Sequence, residues 1–178
     1  MALTPATKHQ IPEESILDTF YRQTYLGNSF ILPTTVALST TSETDIVLIS
    51  NPAISTSAFP SKYKSLFFNL RRFTSSAQAV LIKIYVSPTV STTGTASTPV
   101  NLRPANTNVS ISKAYQNGQF SLSSNGTLVS ALGVGGSDFV VQDNQILIII
   151  DPGQSLLITA TALVQTTNLN ADISWYEL

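Results

Sequence analysis

From about residue 30 onward the apolar residues of this chain fall in short runs that end at turn-forming clusters, and the clearest run alternates with a period of two. In Ala79–Ser87, Val80, Ile82, Ile84 and Val86 face one way, while Leu81, Lys83 and Tyr85 face the other. That is the pattern of a half-buried strand. Asp45–Asn51 closes at Asn51-Pro52, and Gln145–Ile150 runs into Asp151-Pro152-Gly153, a strong breaker where the Asp151 side chain is placed to cap backbone N–H groups. Gln154–Val164 and Ala171–Leu178 complete the last third, with Ile173 and Trp175 on one face and Asp172, Ser174 and Tyr176 on the other. Trp175 therefore reads as a core residue.

Ser65–Thr74 and Ala79–Ser87 are separated by a short Ser-Ser turn and read as a hairpin. Phe120–Leu122 and Thr127–Val134 flank Ser-Ser-Asn-Gly, a good turn sequence. Residues 87–112 are polar, hold three prolines, and read as an extended surface loop. The uninterrupted run at 145–150 predicts a strand covered on both faces, by a sheet partner or by another subunit. About eight strands result, with no helical pattern after residue 30. The expected fold is all-β: an eight-stranded antiparallel jelly-roll sandwich over residues 31–178, preceded by a short N-terminal helix or arm over residues 1–30. An immunoglobulin-like sandwich is the next reading, but it lacks the Cys–Trp–Cys pattern.

The arm has its own logic. Pro12-Glu13-Glu14-Ser15 precedes Ile16, Leu17, Phe20, Tyr21 and Tyr25, an apolar stripe at spacings of three and four. Acidic residues after a proline complement the positive end of a helix, so residues 13–24 read as helical. The stripe either packs on its own domain or docks on a neighbouring subunit or a larger shell.

Only 11% of the residues are charged, against about 25% in ordinary soluble domains, so Ser, Thr, Asn and Gln must supply the polar surface. Such a surface is cheap to desolvate and suits a protein inside an assembly, or an extracellular protein with a neutral surface. The net charge of −1 and the scattered basic residues give no stripe able to neutralise phosphates, so no nucleic-acid partner is expected. The longest aliphatic run, Ile146–Ile150, is too short to cross a bilayer, and the first residues lack the pattern of a secretory signal, so no membrane partner is expected.

Chemistry is sparsely provided. There is no cysteine, and the single histidine, His9, lies in a polar segment unsuited to holding a general base. No metal set, cofactor motif or G-x-S-x-G is present, so no catalytic residue, no metal and no cofactor is expected. Asp138, Asp143, Asp151, Asp172 and Glu177 are the carboxylates left for a paired-acid mechanism, and nothing in their spacing brings two together. Tyr115 and Tyr176 are candidates for stacking a sugar ring, the residues a carbohydrate- or receptor-binding module would need.

Several phrases, in order, give a further lead: LRRF at Leu70–Phe73, VSPTVSTTGTASTPVNL at 86–102, SSNGTLVSALGV at 123–134, IDPGQSLLITATAL at 150–163 and ISWYEL at 173–178. Over about residues 45–178 this succession resembles small structural proteins of tailed bacteriophages and related viruses. The resemblance implies a jelly-roll virion protein, a homotrimer, serving as capsid decoration or as a head-fibre or spike component. Its partners would be itself, a major capsid or other virion protein, and a host glycan or receptor. The arm, with Ile16, Leu17, Phe20, Tyr21 and Tyr25, would be its anchor. The alternative is a carbohydrate- or receptor-binding sandwich in an extracellular or cell-surface setting.

Overall fold

The computed structural model describes residues 16–39, 42–54, 64–76, 78–135, 140–143 and 147–178. One helix, α1 (Ile16–Leu26), precedes thirteen strands. These are β1 (Ser29–Leu38), β2 (Thr44–Ser50), β3 (Leu66–Ser75), β4 (Val80–Val86), β5 (Thr89–Thr93), β6 (Val100–Asn101) and β7 (Lys113–Gln116). They continue as β8 (Phe120–Ser124), β9 (Thr127–Val134), β10 (Val140–Asp143), β11 (Ile148–Ile150), β12 (Ser155–Ala162) and β13 (Thr167–Glu177).

The period-two pattern does its work in β4, where Val80, Ile82 and Ile84 are fully buried and Leu81 and Lys83 only partly so. All pairings are antiparallel. The first sheet runs β10-β3-β13-β1-β6, with β11 also on β3; the second runs β7-β2-β12-β4-β9. Inward side chains of both sheets share one core, including Phe30, Ile49, Phe68, Ile84, Ile158 and Trp175. Trp175 is the largest of them and lies between Phe30 and Phe68, with ring centroids 6.3 and 5.7 Å away. It is a core residue, as its alternation requires.

A third, two-stranded sheet pairs β5 with β8. It continues the β4–β9 pairing beyond a bend, because Val86 faces Thr127 and Thr89 faces Ser124. Val90, Phe120 and Leu122 of this ribbon pack on Leu48, Tyr85, Tyr115 and Leu157, on the outer side of the second sheet. The β2–β12 part of that sheet is thus covered on both faces. This explains why four successive residues of β2 and five of β12 are buried.

Several expectations change here. β3 and β4 are not a hairpin: they lie in different sheets, and the short link between them crosses the sandwich. A turn sequence shows where a chain reverses, not which sheet it re-enters. Likewise β8 and β9 pair with β5 and β4 rather than with each other. The polar stretch 87–112 contains β5 and β6, whose few side chains are too small and polar to announce a strand. Ile148 and Ile150 are buried, but Ile149 is 47% exposed, so the double covering expected of that run belongs to β2 and β12; Gln145 and Ile146 lie outside the described residues. Asp151 accepts a hydrogen bond from the Ser65 hydroxyl at 2.7 Å, so its carboxylate ties the turn to the start of β3. The arm boundary also shifts: β1 begins at Ser29, and Phe30 belongs to the core.

Candidate docking surface

α1 lies against β1 and β13 on the outer side of the first sheet. Its described residues extend to Leu26, two beyond the expected end; residues 13–15 and the side chains of Ile16 and Leu17 lie outside the description. The helix stops where Gly27 takes a φ of +75°. Gly27 N–H donates to Thr24 O and Asn28 N–H to Gln23 O, the paired bonds of a Schellman end. The Asn28 side chain also donates to Gln23 Oε1 at 3.0 Å, which satisfies that buried amide.

The last carbonyls of a helix need donors from elsewhere. Here β6 and the segment after it supply them in succession. Arg103 donates to Tyr25 O, Asn106 to Leu26 O at 3.4 Å, and Asn101 and Asn108 to Gly27 O at 2.9 and 3.3 Å. The Arg103 guanidinium also lies 4.8 Å from the centroid of the Tyr25 ring and brings a positive charge to the negative end of the helix.

The predicted stripe is therefore divided. Phe20 faces inward and meets Tyr176 edge-on at 6.3 Å, and Tyr176 in turn stacks on Phe67 at 4.9 Å. Tyr21 and Tyr25 face outward, 68% and 73% exposed, with Leu26 beside them. The reading in which the stripe packs on its own domain holds for Phe20, while Tyr21 and Tyr25 are left exposed. Leu26, Arg103 and the three asparagines were not among the predicted residues; their signal is the run Asn101–Asn108, dense in side chains that donate hydrogen bonds.

The stacking candidates fare differently. Tyr115 is 6% exposed beneath the β5–β8 ribbon, and Tyr176 is 3% exposed between α1 and Phe67, so neither presents a ring to a ligand. Both stand on strand faces covered by segments from elsewhere in the chain, which local alternation does not reveal.

Two further carboxylates are engaged within the fold. Glu43 accepts hydrogen bonds from Lys83 Nζ at 2.7 Å, Tyr85 Oη at 2.9 Å and Thr159 Oγ1, with Asn125 Nδ2 at 3.4 Å. Burial pushes its pKa up, but the bonds from Lys83, Thr159 and Tyr85 and the Lys83 charge outweigh this and hold it below the ordinary value. The Lys83 ammonium is held protonated by the same contact, while burial and the Glu43 charge raise Asp45. The cluster is thus an ion pair fastening β4 and β12 to the segment before β2, with neither a free base nor a free amine.

Glu177 is buried at the end of the core, beside a cleft of about 400 Å³ whose lining includes Asn28, Lys64, Val109 and Ile111. It accepts from Ser110 Oγ at 2.5 Å and Ile111 N–H at 3.1 Å. Burial raises its pKa, opposed by these donors and by the Lys64 charge. The Trp175 indole N–H makes no well-formed hydrogen bond but lies close enough to favour the ionised carboxylate. Among the described residues no three of His, Cys, Asp and Glu are placed to hold a metal ion, and the side chain of Asp143 lies outside the description. His9 and Asp138 lie outside the described residues.

Comparison with family models, curated proteins and solved structures finds no match to this chain.

Proposed function

We propose that this chain is a non-enzymatic structural protein of a virus particle, a decoration or projecting component that docks on the shell through α1 and associates with copies of itself. The observation that carries the reading is the pair of exposed tyrosines on a helix fixed at its C-terminal end by four side-chain donors. Rigid exposed aromatics lose little entropy on binding and make effective interface anchors. The sparse charge lowers the cost of desolvating the remaining surface.

The reading includes a jelly roll, and the strand order supports it. β10 and β11 lie in succession along β3 and count as one interrupted strand. Leaving out the excursion from β5 to β8, the chain visits the first sheet with β1, β3, β10–β11 and β13, and the second with β2, β4, β9 and β12. It changes sheet at every step except from β4 to β9, which are neighbours. Eight strands in two four-stranded layers, β10/β11-β3-β13-β1 and β2-β12-β4-β9, is the arrangement of two interleaved Greek keys.

The test is antibody labelling of purified virus particles from the source that encodes the chain. Label on intact particles is expected, with loss of incorporation for the Tyr21→Ser/Tyr25→Ser double variant at unchanged folding. Unlabelled particles would sink the reading. A glycan-binding module would need another platform, because Tyr115 and Tyr176 are covered.

A further inference from the structure

The four edges of the sandwich are not treated alike. Beside β1 lies the two-residue β6, and beside β2 the four-residue β7, which Ser97 bridges at Ala114. Gln116 of β7 also donates to Pro33 O at 3.0 Å, closing that side across both sheets. On the other side, β10 and β11 are short, with four and three residues. Short strands and charges are how proteins blunt edges. β9 has neither protection: it has eight residues, no charge and no proline, and among the described residues nothing pairs with its outer edge. Its bulge falls near Leu128–Ser130, leaving Ser130–Val134 in regular register with β4.

We propose that the outer edge of β9 pairs antiparallel with the same edge of a second copy of this chain, joining two second sheets across a two-fold axis near Ala131. The occupant follows from the strand itself. Self-pairing of Thr127–Val134 brings no like charges together, and an isologous contact closes on itself. Exposed Leu128 and Val129 would be covered in the same contact. The pairing specifies the self-association in the proposed function and does not depend on α1.

Ala131→Glu tests it. Residue 131 is exposed, so the isolated protomer has room for a glutamate there, but pairing would place two carboxylates face to face at the axis. In light scattering, the native chain is expected at twice its 19.1 kDa mass. A131E should weaken association at least about tenfold, and an equimolar mixture with A131K should restore it. Thermal unfolding of each variant checks folding. On the native chain alone, hydrogen exchange should show β9 amides becoming protected as concentration rises. A dimer indifferent to A131E, or β9 amides unaffected by concentration, overturns the pairing. A native trimer indifferent to A131E overturns the pairing and leaves self-association standing; a native monomer overturns both.

Discussion

Gly126 stands where the β4–β9 ribbon bends to become β5–β8, and replacing it with alanine tests that bend. Its φ is +84°, and a Cβ built there would lie 2.4 Å from Val86 O and 2.7 Å from Ser87 C and O. Two costs add. A left-handed conformation costs an L-residue about 1–2 kcal/mol, and an overlap with backbone, which cannot rotate away, adds about 1–3 kcal/mol. Gly118 supplies the control: its φ is +79°, but a Cβ there meets nothing within 4 Å, so only the first cost applies. Gly118→Ala should therefore cost about 1–2 kcal/mol and Gly126→Ala about 2–5 kcal/mol. At about 2–4 °C per kcal/mol for a chain of this size, Tm should fall by about 2–8 °C and 4–20 °C. Urea unfolding gives the free energies, and hydrogen exchange should show β5 and β8 opening first in G126A. Equal losses for the two variants would refute the close crossing, and with it the argument that the ribbon is clamped over the second sheet.

Other outcomes follow from the same geometry. Tyr21→Ser should change stability by less than about 0.5 kcal/mol, as for most exposed sites, whereas Phe20→Ala should cost about 1–2 kcal/mol because its ring is largely covered beside Tyr176; urea unfolding of each separates the outward from the inward side of α1. Trp175→Ala should cost about 3–5 kcal/mol, and Trp175→Phe less, since it removes an indole N–H that has no well-formed partner. Glu43 and Glu177 should act oppositely with pH. The lowered pKa of Glu43 gives stability present above 4.5 and lost as pH falls through the folded value, so Glu43→Gln should flatten the acid limb. The raised pKa of Glu177 means the folded chain binds that proton more tightly, so stability falls as pH rises from 4.5 through the folded value. Glu177→Gln should remove that decline, read by Tm across the same pH range.

The strands were legible wherever a single sheet face decided the pattern. Val80–Ile84 alternates because Val80, Ile82 and Ile84 meet the core while Leu81 and Lys83 are only partly covered. Legibility ended where partners came from far along the chain. Nothing in Phe120–Leu122 says that it will lie over Leu48 and Leu157, yet this contact makes β2 and β12 apolar on both faces and buries Tyr115. The Ser-Ser link after β3 could not tell a hairpin from a crossing between sheets, and Ser123-Ser124-Asn125-Gly126 marks a bend within one ladder rather than a reversal. In α1, spacing identified an apolar stripe but not its division. Phe20 is inward because Tyr176 and Phe67 stand beneath it, and Tyr25 is outward because Arg103 holds it from the side.

One excursion of the chain, between β5 and β8, performs several tasks at once. Its β6 and β7 close one side of the sandwich, its Ser110 and Ile111 hold Glu177, and its Asn101, Arg103, Asn106 and Asn108 hold the end of α1. An eleven-residue helix is marginal in water by itself, because nucleation costs more than so few bonds return. The orientation of Tyr21 and Tyr25 is therefore a property of the folded domain, set by a segment some 80 residues away in sequence. A surface built this way exists only when the sandwich has closed, and a free peptide of residues 16–26 lacks the contacts that make it.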